Sequence, residues 1–178
     1  DAFDNADAPL FKREGRARMM QEARADPVID THGMFLPSHK RVAATFLKHI
    51  GVTPRDTLLE VGSGHAVLSF FCAHLFGMHA TGVEIVPTLH RDAAAIRHYL
   101  EGAGYLQPGQ VELKNGDFAA EDFSRYSLIY YFSQGTTDLQ ALLEKMLTVK
   151  PGARILIYGK FESAVEHVLG SHPDFAMR

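Results

Sequence analysis

The fold is decided by the stretch Glu60-Val61-Gly62-Ser63-Gly64-His65-Ala66. Residues 57–61 form a short apolar run that is typical of a buried strand. Residues 65–76 are nearly all apolar, as in a helix packed against a sheet. The glycines permit a tight turn and close approach of a ligand to the backbone, and the helix N-terminus offers free N–H groups. The stretch therefore predicts a strand–turn–helix unit with a ligand site at the turn.

Strands and helices alternate along the chain beyond this unit. Further strands are predicted at 81–86, from 111 to 113, at 127–131 and at 154–158. One intervening helix is indicated by apolar residues at helical spacing, namely Leu89, Ala93, Ile96 and Leu100. Another begins at Thr137, with Gln140 completing a capping box, and has an apolar face of Leu139, Leu142, Leu143, Met146 and Leu147. This alternation predicts an α/β fold, an open doubly wound and mostly parallel sheet with helices on both faces.

The residues before the first strand have a helical pattern. Residues 10–25 suit an exposed basic helix, which is most simply a solvated face and alternatively a contact for an acidic partner or nucleic acid. Ser38 is expected to cap a second helix whose inner face carries Val42, Phe46, Leu47 and Ile50. We therefore divide the chain into an N-terminal helical segment with a lid loop, 1–52, and an α/β core, 53–178, within a single domain.

Composition limits the partners of the protein. The chain has 178 residues, a net charge of −3, one cysteine and no run of eighteen apolar residues. These values predict a soluble, cytoplasmic protein without a membrane span or an internal disulfide, and they disfavour a nucleic-acid partner. The ten histidines show no metal-ligand spacing, so no metal site is predicted.

Two more polar positions complete a nucleotide site at the predicted strand ends. Glu84 ends the second strand, 22 residues beyond Gly62, where a carboxylate can accept both hydroxyls of an adenosine ribose. Asp117 follows the third strand and can accept from the adenine amino group, while Phe118 can flank the ring. Simpler alternatives are a solvated strand-end acid for Glu84, a loop acid for Asp117 and apolar packing for Phe118.

The turn itself argues against a dinucleotide. The dinucleotide fingerprint G-x-G-x-x-G needs a third glycine, and Val67 stands in that position. The sequence instead matches E-x-G-x-G-x-A, in which Glu60 would repel a pyrophosphate and suit the positively charged amino end of S-adenosylmethionine (SAM). Glu60 could alternatively cap the neighbouring helix.

This constellation resembles the class I, seven-strand SAM-dependent methyltransferases, from residue 33 to about residue 161. Four stretches further resemble the non-SET protein-lysine methyltransferases, the disruptor-of-telomeric-silencing group and its small prokaryotic relatives. They are Phe35-Leu36-Pro37-Ser38, Gly82-Val83-Glu84, Gly116-Asp117-Phe118 and Lys150-Pro151-Gly152-Ala153-Arg154-Ile155. The resemblance implies SAM as cofactor and S-adenosylhomocysteine as product. It implies a binding site of Phe35, Ser38, Glu60, Gly62, Ser63, Gly64, His65, Glu84, Ile85, Asp117 and Phe118, with Phe35 and Ser38 as a lid over the methionine end.

The acceptor side departs from the histone enzymes, which carry adjacent asparagines after the fourth strand. This chain has Tyr130-Tyr131-Phe132-Ser133-Gln134 there, so those lysine contacts do not carry over. Tyr130, Tyr131, Phe132 and Ser133 are instead candidates for an acceptor channel. Aromatic walls would favour a neutral lysine by desolvation and attract the incoming cation. No general base stands out nearby, which disfavours a catechol or simple alcohol as acceptor.

The sequence therefore predicts a protein-lysine N-methyltransferase acting on a protein substrate. The alternatives are a small-molecule or RNA methyltransferase of the same fold, and a non-catalytic SAM-binding subunit or sensor. The superfamily ends with a helix and an antiparallel strand pair, but only twenty residues follow Tyr158. We therefore expect either that the C-terminus is cut or disordered and the strand pair incomplete, or that a partner chain completes the sheet edge, as in a homo-oligomer.

Overall fold

A computed structural model describes residues 21, 40–133, 139–159, 167, 170–173 and 175 of the chain. Gln21 is helical and exposed; the rest of the predicted helix at 10–25 lies outside these residues, as do Phe35 and Ser38 of the predicted lid and the predicted cap Thr137. No described helix is long and apolar enough to cross a membrane.

The elements alternate as the sequence indicates. The helices are α1 (Lys40–His49), α2 (Val67–Phe76), α3 (Pro87–Gly102) and α4 (Leu139–Met146). The strands are β1 (Thr57–Val61), β2 (His79–Glu84), β3 (Val111–Asn115), β4 (Leu128–Ser133) and β5 (Arg154–Gly159). Two short 3-10 turns, Phe118–Ala120 and Phe123–Arg125, lie between β3 and β4.

The five strands form one parallel sheet in the order β3-β2-β1-β4-β5. Strand β1 lies between β2 and β4, so the strand order reverses beside it. In open parallel sheets, ligands bind in the crevice at the carboxyl ends of the strands at such a reversal. The predicted doubly wound α/β fold is confirmed. Strand β5 is the edge of the described sheet, and its pairing with a second copy stays a prediction.

The sheet is buried on both faces. Leu58 on one face and Leu59 on the other are both 0% exposed. Helices α1, α2 and α3 cover the first face, and α4 with the 3-10 turn residue Phe123 covers the second. Each fully buried leucine contributes about 1.5–3 kcal/mol, so the central strands hold the turn at their carboxyl ends on a rigid base.

Three details of the sequence prediction are wrong. Strand β2 covers His79–Glu84 rather than 81–86, because the chain bends after Glu84 and α3 begins at Pro87. The pattern places both Phe46 and Leu47 on the inner face of α1; Leu47 is buried as predicted, but Phe46 is 45% exposed, because a helix turns adjacent residues to different sides. Leu147 was placed on the apolar face of α4 but is 42% exposed, since the helix ends one residue before it.

Gly82 of β2 allows the glycine turn to lie against the sheet. A Cβ atom at this position would lie 2.9 Å from Ser63 Oγ, 3.0 Å from Ser63 Cβ and 3.4 Å from Ala66 Cβ. A side chain of any size therefore forces the turn away from β2. Position 82 must remain glycine for the turn to keep this geometry.

We expect Gly82→Ala to cost about 1–3 kcal/mol through overpacking. The melting temperature of a chain of this size should then fall by at least about 2 °C, measured by calorimetry. Gly102→Ala is the matched control, because a Cβ atom there meets nothing within 4 Å. Equal melting temperatures for the two variants would contradict the close approach.

Candidate functional site

The site is built on the turn between β1 and α2. Gly62 has a φ of 65° and Gly64 a φ of 55°, a left-handed conformation that glycine adopts without strain. The Ser63 amide donates to the carbonyl of Val83 at 2.9 Å, and the Ala66 amide donates to the Ser63 carbonyl at 2.7 Å. The turn is therefore tied both to itself and to the end of β2.

Glu60 caps helix α2 from the preceding strand. The N-cap residue, Ala66, has no side-chain oxygen and makes no capping bond. Oε2 of Glu60 instead accepts from the Ser69 amide at 2.9 Å and from Ser69 Oγ at 2.7 Å. This is the alternative that the sequence left open for Glu60. Its contact with the amino end of SAM stays a prediction.

The Glu60 carboxyl titrates near neutrality. Burial raises its pKa to about 7; the hydrogen bonds from Ser69 oppose this rise and the nearby charge of Glu84 adds to it. At neutral pH the group thus exchanges readily between neutral and charged forms. A cation placed beside it would favour the charged form.

Glu84 is held at the other side of the turn. Its Oε2 accepts from the Gly64 amide at 2.6 Å and its Oε1 accepts from the Val86 amide at 2.8 Å. The residue is 5% exposed. Both bonds come from backbone amides at the carboxyl ends of the strands, where the ribose contact is predicted. The carboxylate therefore fixes the turn and remains suited to the predicted ribose contact.

The predicted adenine loop starts beside Glu84. The carbonyl of Glu84 accepts from Asn115 Nδ2 at 2.8 Å and from the Gly116 amide at 3.0 Å. Asp117 is exposed, and its Oδ1 accepts from the Ala119 amide at 2.8 Å. Phe118 packs against the core on the α4 side. The fold thus brings the loop to the end of β2, on the side away from β1.

Three further predicted residues lie around the turn. Ser63 is buried and faces Gly82, and Ile85 is half-buried between Glu84 and Val86. His65 is buried, and burial lowers its pKa while the charge of Asp92 opposes the shift. His65 Nε2 lies 3.9 Å from Asp92 Oδ2, on α3. Ser63 and His65 belong to the turn, and Ile85 follows the end of β2; their contacts with SAM stay predictions.

The acceptor-channel candidates separate onto different faces of the sheet. Tyr130 and Tyr131 are each 4% exposed, the first packed in the core under α1 to α3 and the second in the core under α4. Because they lie on opposite faces, they do not form adjacent walls of one channel. Phe132 is half-buried and stacks on Tyr158 with ring centroids 5.3 Å apart. Ser133 ends β4, and its side chain lies outside the described part of the structure.

The sequence prediction missed two residues that support the site. Ser69, the partner of Glu60, is a polar residue in an otherwise apolar helix, which is a signal for a buried hydrogen bond. Asn115 precedes the predicted adenine residues, but its side chain turns back to Glu84, which no spacing rule indicates.

Glu60→Gln should reveal the raised pKa of this buried carboxyl. The amide oxygen still accepts from Ser69 but no longer ionises. In the native protein the folded-state pKa of Glu60 lies above its ordinary value of 4.5, so its contribution to stability is full below pH 4.5 and is lost as pH rises through about 7. We expect the unfolding free energy of the variant, relative to wild type, to improve by roughly 2–3 kcal/mol between pH 4.5 and pH 8.

Urea unfolding at several pH values measures this difference. Glu144→Gln, at an exposed position of α4, is the control and should follow wild type throughout. A Glu60→Gln difference that stays constant with pH would contradict the raised pKa.

Comparison with known proteins reveals the fold but no near relative. No model of a known protein family matches the chain, and no curated protein matches it either. Solved structures do match. An RNA methyltransferase from Salinibacter ruber, in complex with S-adenosyl-L-homocysteine, is 22% identical with a TM-score of 0.61, over 80% of this chain and 86% of that one.

Two other similar structures are longer proteins. A SAM-dependent methyltransferase from Thiobacillus denitrificans, also with S-adenosyl-L-homocysteine, is 21% identical with a TM-score of 0.54, over 80% of this chain and 54% of that one. Geranyl diphosphate C-methyltransferase from Streptomyces coelicolor A3(2) is 18% identical with a TM-score of 0.56, over 67% of this chain and 45% of that one. This chain therefore spans about half the length of these two proteins. The strand order and these matches together show that it has the class I SAM-dependent methyltransferase fold.

Proposed function

We propose that the protein is a SAM-dependent methyltransferase that binds SAM at the carboxyl ends of β1, β2 and β3. The observation that carries this proposal is the buried carboxylate of Glu84, which the Gly64 and Val86 amides hold beside the glycine turn. It lies at the carboxyl end of β2, beside the point where the strand order reverses, where a carboxylate can accept from ribose hydroxyls.

The start of helix α2 favours SAM over a dinucleotide as the ligand. A pyrophosphate would bind the free amides in the first turn of this helix. Glu60 already accepts from the Ser69 amide there, and a hydrogen bond from the Leu68 amide also acts on its carboxyl. The anion position is therefore filled by a side chain of the protein itself. A ligand with a cationic end is favoured over one with a doubly charged pyrophosphate.

When bound, SAM would supply a methyl group on a positively charged sulfur for in-line transfer to an acceptor. The side chains of this chain then act by positioning: Glu84 would hold the ribose, Asp117 and Phe118 the adenine, and Glu60 the cationic end. Such positioning can be worth roughly 7–11 kcal/mol of a reaction barrier, and it needs no covalent nucleophile.

We further propose that the acceptor is a lysine amine of a protein, which enters beside the end of β4. Residues 130–134 contain no acid, histidine or basic residue, so they suit an amine that needs desolvation better than a hydroxyl that needs a base. Phe132, stacked on Tyr158, supplies the aromatic surface at this edge. RNA is the second candidate acceptor. The matched Salinibacter ruber protein is an RNA methyltransferase, and the match covers 80% of this chain and 86% of that one.

Calorimetry should show one-site binding of SAM and of S-adenosylhomocysteine, both tighter than NAD. Hydrogen bonds to a charged group contribute about 1.5–3 kcal/mol, so Glu84→Gln should weaken SAM binding by about tenfold or more. Glu112→Gln, at an exposed position on the neighbouring strand β3, is the control and should bind as wild type. Tighter binding of NAD, or unchanged affinity in a folded Glu84→Gln variant, would refute the proposed site.

Phe132→Leu should separate methyl transfer from cofactor binding. The change removes the stacked ring but keeps an apolar side chain in the core. Transfer of radiolabelled methyl groups to lysate protein should fall by about tenfold or more, while SAM affinity stays within about threefold, a difference under 1 kcal/mol.

Phe46→Leu, on the exposed face of α1, is the matched control and should keep full activity. Methyl-lysine in the digested, labelled protein would support the lysine acceptor, and label only in RNA or small metabolites would reject it. Full activity of Phe132→Leu would reject the position of the channel.

A further inference from the structure

Glu121 lies at the centre of a cluster next to the proposed adenine loop. Its Oε1 and Oε2 accept from Lys114 Nζ at 2.9 Å and 2.8 Å, and Oε2 also accepts from Tyr126 Oη at 3.2 Å. Its backbone carbonyl accepts from Lys145 Nζ at 2.8 Å. One residue is thereby joined to β3, to the end of the second 3-10 turn and to α4.

This cluster is more than a surface ion pair. The Glu121 side chain is 11% exposed and that of Lys114 is 27% exposed. The hydrogen bond to Glu121 raises the pKa of Lys114, despite the opposing effect of burial. Exposed ion pairs contribute little because solvent screens them, and this partly buried, doubly hydrogen-bonded pair is better protected from such screening. Glu121 is therefore firmly placed.

Its position in the chain connects the cluster with Asp117. The Glu121 amide donates to the Phe118 carbonyl at 2.9 Å, and the Ala120 amide donates to the Asp117 carbonyl at 3.1 Å. At the other end of the loop, Asn115 is bound to the carbonyl of Glu84. Residues 115–121 are thus held at both ends. The Asp117 carboxylate, whose own bond is to Ala119 within the loop, takes its position from these two anchors.

We propose that Glu121 is a positioning residue that sets the selectivity of the site for an adenine over a 6-oxopurine, acting through Asp117. This inference rests on the proposed function. A carboxylate that is held in place accepts from the 6-amino group of adenine and repels the 6-oxygen of hypoxanthine. When the contacts of Glu121 are weakened, Asp117 moves with residues 115–121. The attraction for the 6-amino group and the repulsion of the 6-oxygen then both decrease.

Calorimetric binding of S-adenosylhomocysteine and S-inosylhomocysteine tests the proposal. Wild type should prefer the adenosyl compound by at least tenfold, equivalent to about 1.4 kcal/mol. Glu121→Gln should reduce this preference to threefold or less, by weakening the adenosyl compound while the affinity for the inosyl compound changes by less than threefold.

Two variants complete the design. Glu112 is the other carboxylate near Lys114; its side chain is 57% exposed, and its Oε1 lies 3.9 Å from Lys114 Nζ. Glu112→Gln should keep the wild-type ratio of the two affinities. Lys145→Met removes the hydrogen bond from α4 to the Glu121 carbonyl but keeps an unbranched apolar side chain. It should also lower the preference for the adenosyl compound. If Glu121→Gln does not fold, Lys145→Met decides the outcome.

The possible results distinguish failure of this inference from failure of the proposed function. A folded Glu121→Gln variant with the wild-type ratio, or one that loses affinity for both compounds equally, overturns the inference. Equal wild-type affinity for both compounds also overturns it, while leaving binding of the adenosyl compound in place. Failure of wild type to bind either compound overturns the proposed function itself.

Discussion

The structure depends on the need to hydrogen-bond two buried carboxylates at the ends of neighbouring strands. Glu60 on β1 and Glu84 on β2 are 4% and 5% exposed, and a buried carboxylate without partners is very costly. Glu60 accepts from the amide and the hydroxyl of Ser69, and Glu84 accepts from the Gly64 and Val86 amides. Satisfying both acids therefore fixes the start of α2, the glycine turn and the beginning of α3.

The same arrangement gives the site its electrostatic preference. The charge of Glu84 adds to the rise in the pKa of Glu60, so the two carboxylates disfavour each other's ionised form. A cationic ligand between them would relieve that repulsion, whereas a phosphate would increase it. The free-energy cost of burying a second carboxylate is thus lower when the proposed ligand is bound. The carboxylates that shape the turn would in this way also favour a cationic ligand.

The sequence predicts the alternation of elements well because apolar runs and glycine turns are local signals. The bounds of β1, 57–61, agree with the prediction. Local signals do not separate adjacent apolar residues: the pattern places both Phe46 and Leu47 on the inner face of α1, and of these two only Leu47 is buried. Nor do they reveal that Glu84 accepts from the Gly64 amide, because this contact depends on the conformation of the turn. Tyr130 and Tyr131 appear as one aromatic block, yet alternation along a strand sends them into different cores.

The two halves of the site differ in how far the fold constrains them. In the proposed cofactor half, Glu60 and Glu84 are buried and bound to backbone amides, so few changes at these two positions are compatible with the turn. The proposed acceptor half lies at the ends of β4 and β5, where Phe132 is half-buried and Tyr158 is 37% exposed. Side chains that the core does not require can vary without loss of the fold. Under the proposed function, acceptor choice should therefore depend on the aromatic surface formed by Phe132 and Tyr158, rather than on the carboxylates that build the turn.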